Sequence, residues 1–121
     1  MSCRWLSFIL LSLCTCLQAE QNFHCVGTYR VFQFENEHVR VWKTVIMPHQ
    51  SLKMHRHDCS RVLVALKGGK LTKMEDTGES SELFLEEDKA YWLDQDALHT
   101  LHADINESEE PIEIMVIEVK A

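Results

Sequence analysis

The 121-residue sequence lacks the patterns that mark helical, nucleic-acid-binding and membrane-spanning proteins. No segment repeats apolar residues with a helical period, and there is no internal repeat, linker or low-complexity tract. Lys and Arg form no basic block, and acidic residues outnumber basic ones 19 to 12, which argues against nucleic acid and anionic membrane surfaces as partners. Only two prolines occur, Pro48 and Pro111, both at the edges of predicted strands, where a missing amide donor is tolerated. These absences favour an acidic domain built from strands.

The first 19 residues have the composition of a cleaved secretory signal peptide. A short basic start ends at Arg4, an almost wholly apolar run covers residues 5–17, and Ala19 offers signal peptidase a small residue. The run is too short to cross a bilayer, which requires about 20 residues. We therefore predict an exported protein, periplasmic or secreted, with one domain over residues 20–121 and no membrane partner after signal cleavage. Loss of Arg4 takes the formal charge from −7 to −8.

Few cysteines remain once the signal peptide is removed. Cys3, Cys14 and Cys16 lie within it, whereas Cys25 and Cys59 belong to the mature chain. Two cysteines in an oxidising compartment can form one disulfide. The alternative is a free Cys59 thiol beside the neighbouring histidines, and both readings stay open because the sequence does not give the distance between the two residues.

The mature chain consists of short segments rich in β-branched and aromatic residues, separated by turns. The predicted strands cover residues 26–34, 38–47, 61–67, 70–75, 83–85, 90–93, the 99–106 region and 112–119. The segment 61–67 is apolar on both faces, and Gly68-Gly69 after it permits a tight hairpin turn into 70–75. Many short strands joined by close turns indicate an all-β sandwich or barrel.

Two histidines, His55 and His57, stand one residue apart. Side chains two residues apart in a strand face the same side, about 6.5 Å apart along the chain, so both imidazoles could bind one transition metal. A metal site requires a third ligand, and the candidates are His102 and, as the alternative, His99. These two differ in parity, so only one of them can point inward from a regular strand.

The first half of this pattern resembles the first motif of the cupins, which has a glycine, five residues, His-x-His, three or four residues, a glutamate, six residues and a glycine. His49 stands at the first glycine position, His55 and His57 match the pair, and Gly68 matches the closing glycine. Arg61 stands where the glutamate belongs. The resemblance implies a single-domain cupin-type jelly-roll barrel, the double-stranded β-helix.

The second cupin motif is degenerate in this chain. Asp88 and Asp94 stand near its glycine and proline positions, and His102 and Asn106 reproduce its His-to-Asn spacing. Counting back from Asn106 selects His102, whereas counting forward through a loop of the usual length selects His99. We take His102 as the third ligand, because the register of the last strands is harder to shift than a loop.

Arg61 is the main departure from the cupin site, which has three histidines and a glutamate. A fixed positive charge at a ligand position raises the cost of placing a divalent cation nearby. Either three histidines hold a metal (Fe, Zn, Ni, Cu or Mn) while Arg61 takes an anionic ligand, or the pocket holds no metal and binds a carboxylate through Arg61 and the histidines. Tyr91 and Trp92 lie in an apolar strand, where such residues are most often core, and either could line the pocket; we assign Trp92 to it.

Two functions are compatible with such a pocket. The resemblance implies a small metalloenzyme with dioxygenase- or isomerase-like chemistry, although no residue singles out a reaction. The alternative is a non-catalytic module that binds a small molecule, expected to be anionic, or a metal. The resemblance also implies a homodimer, for which the first strand could supply an apolar surface through Tyr29, Val31, Phe32 and Phe34.

Overall fold

The structure is a computed structural model that describes residues 27–120. The predicted signal peptide at 1–19 and Cys25, and with Cys25 the question of a disulfide to Cys59, lie outside the described residues. Within residues 27–120 the regular secondary structure consists of strands alone, so no helix there is long and apolar enough to cross a membrane.

Eight strands form two antiparallel sheets. Their bounds are β1 (Tyr29–Glu35), β2 (Val39–Ile46), β3 (Arg61–Lys67), β4 (Gly69–Glu75), β5 (Ser80–Leu85), β6 (Ala90–Leu93), β7 (His102–Asn106) and β8 (Ile112–Val119). The larger sheet has the order β1-β2-β8-β3-β6 and the smaller one the order β5-β4-β7. Because β2 and β3 both pair with β8, the larger sheet joins strands that are far apart in sequence. The predicted all-β jelly roll is confirmed.

The apolar core lies between the inner faces of the two sheets. It is made of aliphatic side chains that alternate along the strands: Ile46, Leu63, Ala65, Leu71, Leu85, Ile112, Ile114 and Val116. Alternate residues of β8 point into the barrel, as the two-residue period of a strand requires. Each fully buried side chain of this size contributes about 1.5–3 kcal/mol to folding. Several of these side chains, Ile46, Leu63, Leu71, Ile114 and Val116, also line the cavity between the sheets.

The hairpin predicted at Gly68-Gly69 is wrong. Strands β3 and β4 lie in different sheets: β3 pairs with β8 and β6, and β4 pairs with β5 and β7. The chain therefore crosses from one sheet to the other at this point. Gly68 is required there because a Cβ atom would overlap the carbonyl oxygen of Leu85. Two adjacent glycines permit either connection, and the sequence alone does not separate them.

Two glycine positions of the motifs hold residues that keep the backbone conformation typical of glycine. His49 has a φ of 58° and Asp88 a φ of 65°, both in the left-handed region. Asn106 is fully buried, and its Nδ2 donates to the carbonyl oxygens of Ile46 and Glu110 at 2.8 Å each. Asn106 thus ties the end of β7 to β2 and to the loop that leads into β8.

Candidate metal centre

Three imidazoles and one carboxylate converge inside the barrel. His55, His57, His102 and Asp104 each offer one ligand atom, and the four atoms lie within 4.8 Å of one another. The ring centroids are 4.5 Å apart for His55 and His102, 4.7 Å for His55 and His57, and 5.4 Å for His57 and His102. The described residues therefore bring together groups that are up to 49 positions apart in the sequence.

His55 and His57 do not lie in a regular strand, which corrects the expectation that a strand would place both side chains on one side. The segment 51–60 is extended but irregular, and it adds to the edge of the smaller sheet through isolated bridges. The N–H of His55 donates to the carbonyl oxygen of His102, and the reverse bond also forms, each at 2.8 Å. This reciprocal pair holds one end of the histidine segment beside β7.

Strand β7 carries the other two groups. His102 is 3% exposed, and Asp104, two residues further, lies on the same side of the strand. His99 lies in the turn before β7, is exposed and has a φ of 64°. The structure thus places His102, and not His99, in the cluster. Asp104 was not predicted from the sequence, although His102 and Asp104 are two residues apart in a predicted strand and so face the same side, as was argued for His55 and His57.

The side chains are oriented so that their Nε2 atoms face the centre of the cluster. His55 Nδ1 donates to the carbonyl oxygen of Lys53 at 2.6 Å, and His102 Nδ1 lies 3.2 Å from Asp96 Oδ2. With both Nδ1 hydrogens directed outward, the Nε2 atoms present lone pairs inward. They lie 3.5 Å and 3.4 Å from Asp104 Oδ2, and His55 Nε2 lies 3.0 Å from His57 Nε2.

This donor set fits a transition metal ion. With metal–nitrogen bonds of about 2.0–2.1 Å, tetrahedral coordination separates ligand atoms by roughly 3.4 Å; three of the pairs lie at 3.0, 3.5 and 3.4 Å, and all four atoms lie within 4.8 Å of one another. Lone pairs of two imidazoles beside a carboxylate repel one another unless a cation or protons lie between them. Because the outer nitrogens already face acceptors, the arrangement is compatible with a bound metal ion.

The pKa values of His57 and Asp104 also support metal binding at this cluster. Burial, together with the charge of Arg61 and the neighbouring His55, lowers the pKa of His57 from 6.5 to about 3, so its lone pair is free at neutral pH. Burial alone raises the pKa of Asp104. The neighbouring histidines, His102 first, outweigh that effect when they are protonated and lower the pKa of Asp104 overall. Asp104 is therefore ionised where a metal ligand must be.

Arg61 lies inside the barrel, with 5% of its surface exposed. Its Nη1 donates to the carbonyl oxygen of Asp94 at 3.1 Å. Burial lowers the pKa of Arg61, and the charges of Asp96, Asp104 and Glu118 oppose that effect. Because these carboxylates offset the charge of the guanidinium, Arg61 repels a cation at the cluster less than its place in the motif suggests. The carboxylate of the cluster is Asp104, since Arg61 stands at the position of the motif's glutamate.

Trp92 does not line the pocket, which corrects the expectation for this residue. It pairs with Val62 across β6 and β3, is 57% exposed, and donates from Nε1 to Asp94 Oδ1 at 2.9 Å. Its neighbours Tyr91 and Leu93 pack against the core. The alternation of side chains along β6 therefore turns Trp92 to the outer face of the larger sheet.

The cluster lies in a cavity of about 1220 Å³ between the two sheets. Aliphatic side chains on its wall include Leu52, Leu63, Leu83, Leu93 and Ile114. Charged side chains of both signs also line it: Arg30, Lys53, Arg61, Lys73, Glu75, Glu82, Asp94, Asp96 and Asp104. A cavity that combines an apolar part of the wall with convergent polar groups is typical of small-molecule sites.

Comparisons with known proteins agree with this architecture. Residues 24–117 match the sequence model of a family described as auxin binding protein. A cupin domain from Bordetella pertussis Tohama I is 27% identical, with a TM-score of 0.69 over 78% of this chain and 95% of that one. A protein with a double-stranded β-helix domain from Klebsiella pneumoniae is 14% identical (TM-score 0.59, 78% of each chain).

A cupin superfamily protein from Desulfitobacterium hafniense DCB-2 is 10% identical, with a TM-score of 0.56 over 79% of this chain and 80% of that one. No curated protein matches the chain. The likenesses below 25% identity concern the fold alone, and they agree with the resemblance to a small cupin.

Proposed function

The chain belongs to the auxin binding protein family, whose fold is that of the cupins, and from this premise we propose that it binds a divalent transition metal and a small organic anion in one pocket. The metal ligands in this proposal are His55, His57, His102 and Asp104. The observation that carries it is the convergence of three Nε2 atoms and a carboxylate, with the Nδ1 atoms of His55 and His102 already facing acceptors.

The charges of the buried site support an anionic ligand. Asp96 and Asp104 supply two negative charges against one positive charge on Arg61, so the centre carries −1 when the histidines are neutral. Lys73 has Glu75 as a further partner at 3.9 Å, and Glu118 is shared by Arg30 and Arg40. A divalent ion changes the charge of the centre to +1, which attracts a monoanion.

The walls support a ligand with an apolar body. The family description names auxin as what its members bind. For this chain we propose a small carboxylic acid whose apolar part contacts the aliphatic wall of the cavity. When bound, the metal supplies a Lewis acid with coordination positions left open to ligands.

Metal content and ligand binding test the proposal in sequence. Protein purified without added metal is expected to contain one transition metal ion per chain by elemental analysis, and His55→Ala and His57→Ala are expected to lose it. Calorimetry with indole-3-acetate and benzoate is then expected to show binding that the neutral amides of the same acids do not show. A protein that stays metal-free after incubation with zinc and iron would contradict the metal site.

Catalysis of the dioxygenase or isomerase type is a second candidate. Three nitrogen ligands and one oxygen ligand leave two positions open on a six-coordinate metal such as iron, which suits these reactions. Each carboxylate of the site contacts another group of the site, so among the described residues we assign no separate general base. Oxygen consumption by the iron-loaded protein in the presence of the bound acid tests this candidate.

We propose a homodimer through the outer face of the larger sheet. Tyr29, Val31 and Phe34 lie on that face of the edge strand β1, together with Trp92, and all four are exposed. Phe32 instead packs edge-on against Trp42, 5.1 Å away, on the opposite face. Light scattering on Phe34→Glu tests the dimer. The matched control is Phe84→Glu, which changes an exposed phenylalanine of the smaller sheet.

Export also remains a proposal. Its support is the composition of residues 1–19, which has the basic start, apolar run and small residue of a signal peptide. Mass spectrometry of the protein from its native cells is expected to find an N-terminus at Glu20. An intact Met1 N-terminus would contradict it.

A further inference from the structure

Asp96 contributes no atom to the four-ligand cluster, yet its carboxylate reaches two of the residues that do. The side chain is 5% exposed and lies in the connection between β6 and β7. Its Oδ2 accepts a hydrogen bond from the N–H of His57 at 2.7 Å and lies 3.2 Å from His102 Nδ1. Its Oδ1 lies 3.7 Å from Lys73 Nζ. A buried carboxylate with these partners is held in one place.

The backbone of Asp96 strengthens the link to the histidine segment. Its N–H donates to the carbonyl oxygen of His57 at 2.9 Å, while its side chain accepts from the N–H of the same residue. His57 is therefore bound to the β6–β7 connection by two bonds in opposite directions. His55 is bound to β7 by a similar reciprocal pair with His102. The two pairs fix both histidines of the His-x-His segment relative to His102.

The position of Asp96 next to His102 Nδ1 decides which imidazole nitrogen is available to a metal. A carboxylate at 3.2 Å favours the tautomer with hydrogen on Nδ1, which leaves the lone pair on Nε2. That atom is the one 3.4 Å from Asp104 Oδ2. An anionic acceptor also raises the basicity of the ring more than a neutral one would.

We propose that Asp96 is a positioning residue of the metal centre, one that fixes the tautomer and ring orientation of His102 and the backbone of His57. The inference rests on the proposed metal-binding function. Lys73 Nζ lies 3.7 Å from Asp96 Oδ1, the oxygen that the N–H of His57 and His102 Nδ1 do not contact, so both oxygens of this buried carboxylate have a partner.

Asp96→Asn tests the inference, because the amide keeps the size of the side chain and one acceptor oxygen but removes the charge. Its zinc affinity, measured by competition with a chromogenic chelator, is expected to fall 10- to 100-fold. The visible absorption spectrum of its cobalt form is expected to shift, because a change in the basicity and orientation of His102 alters the ligand field of the metal. Asp96→Glu, which restores the charge, is expected to recover part of the affinity.

Asp94→Asn is the matched control. Its side chain lies in the same connection but accepts from Trp92 Nε1, and it is exposed. Its affinity and cobalt spectrum are expected to equal those of the unmodified protein. Equal affinity and an unchanged spectrum in Asp96→Asn would overturn the role of Asp96 while leaving the metal site intact. Absence of zinc binding in the unmodified protein would instead overturn the proposed function, and the positioning role with it.

A measurement on the unmodified protein keeps the inference testable if Asp96→Asn does not fold. Long-range ¹H–¹⁵N correlation spectra of the zinc-loaded protein report which nitrogen of each histidine carries hydrogen. Hydrogen on Nδ1 of His102, with Nε2 shifted by the metal, is expected. Hydrogen on Nε2 of His102 would overturn the proposal.

Discussion

Substitution of Asp104 by asparagine removes the only charged group in the proposed ligand set of this chain. The amide has nearly the same size, so the change acts through charge and ligand strength rather than through packing. Asp104 has 16% of its side chain exposed and lies 3.5 Å and 3.4 Å from the Nε2 atoms of His55 and His102. We expect Asp104→Asn to fold and to bind metal weakly.

The structure sets the magnitude of this loss. Without the carboxylate, the charge of the metal-loaded centre rises from +1 to +2, with Arg61 and the ion less compensated. Removal of one partner from a largely buried set of charges typically costs about 3–5 kcal/mol. At about 1.4 kcal/mol for each factor of ten, zinc affinity is expected to fall roughly a hundred- to a few-thousand-fold.

Chelator competition at a fixed pH measures the zinc affinity of both proteins, and thermal unfolding with and without zinc provides a second readout. Asp58→Asn is the control, because Asp58 is an exposed aspartate one residue from His57 that pairs with Arg56 at 3.3 Å. Its affinity is expected to remain unchanged. Zinc affinity in Asp104→Asn within threefold of the unmodified value would refute the assignment of Asp104 as a ligand.

Three further predictions concern pH, backbone conformation and the crossing between the sheets. In metal-free protein, stability is expected to fall as the pH drops from about 6.5 towards 3. Over this range the unfolded chain takes up a proton on His57, whereas the folded chain, in which the pKa of His57 is about 3, stays unprotonated there. Chemical denaturation at several pH values should show a smaller fall in His57→Gln. His49→Gly is expected to raise stability by about 0.5 kcal/mol. It relieves the left-handed φ of 58°, although it removes an exposed contact with Glu109. An unchanged or lower Tm would contradict this. Gly68→Ala is expected to lower stability by about 2–3 kcal/mol, since the new Cβ overlaps the carbonyl oxygen of Leu85, and a Tm within 2 °C of the parent would disprove that reading.

The sequence was informative where a spacing is tied to the fold. The intervals that link His49, His55, His57 and Gly68 predicted a cupin barrel, and the structure has that barrel. Arg61 stands at the glutamate position of the first motif, a ligand position, and it lies inside the barrel at the start of β3.

Other features depend on tertiary packing that local patterns do not encode. Asp96 reaches the histidines from an irregular connection, where no periodicity predicts the direction of a side chain. Gly68-Gly69 suits a hairpin as well as a crossing between sheets. Trp92 was placed in the pocket for its chemistry, although the alternation with its core-packed neighbour Leu93 would have turned it outward. Asp104 was not predicted, although it shares one face of β7 with His102.

An anomalous difference map from crystals of the zinc-loaded protein, recorded at the zinc edge, tests the central claim most directly. One peak per chain is expected, within about 2.0–2.2 Å of Nε2 of His55, His57 and His102 and of a carboxylate oxygen of Asp104. A map without a peak at this cluster, or with zinc held by the histidines while Asp104 stays bound to other groups, would contradict it.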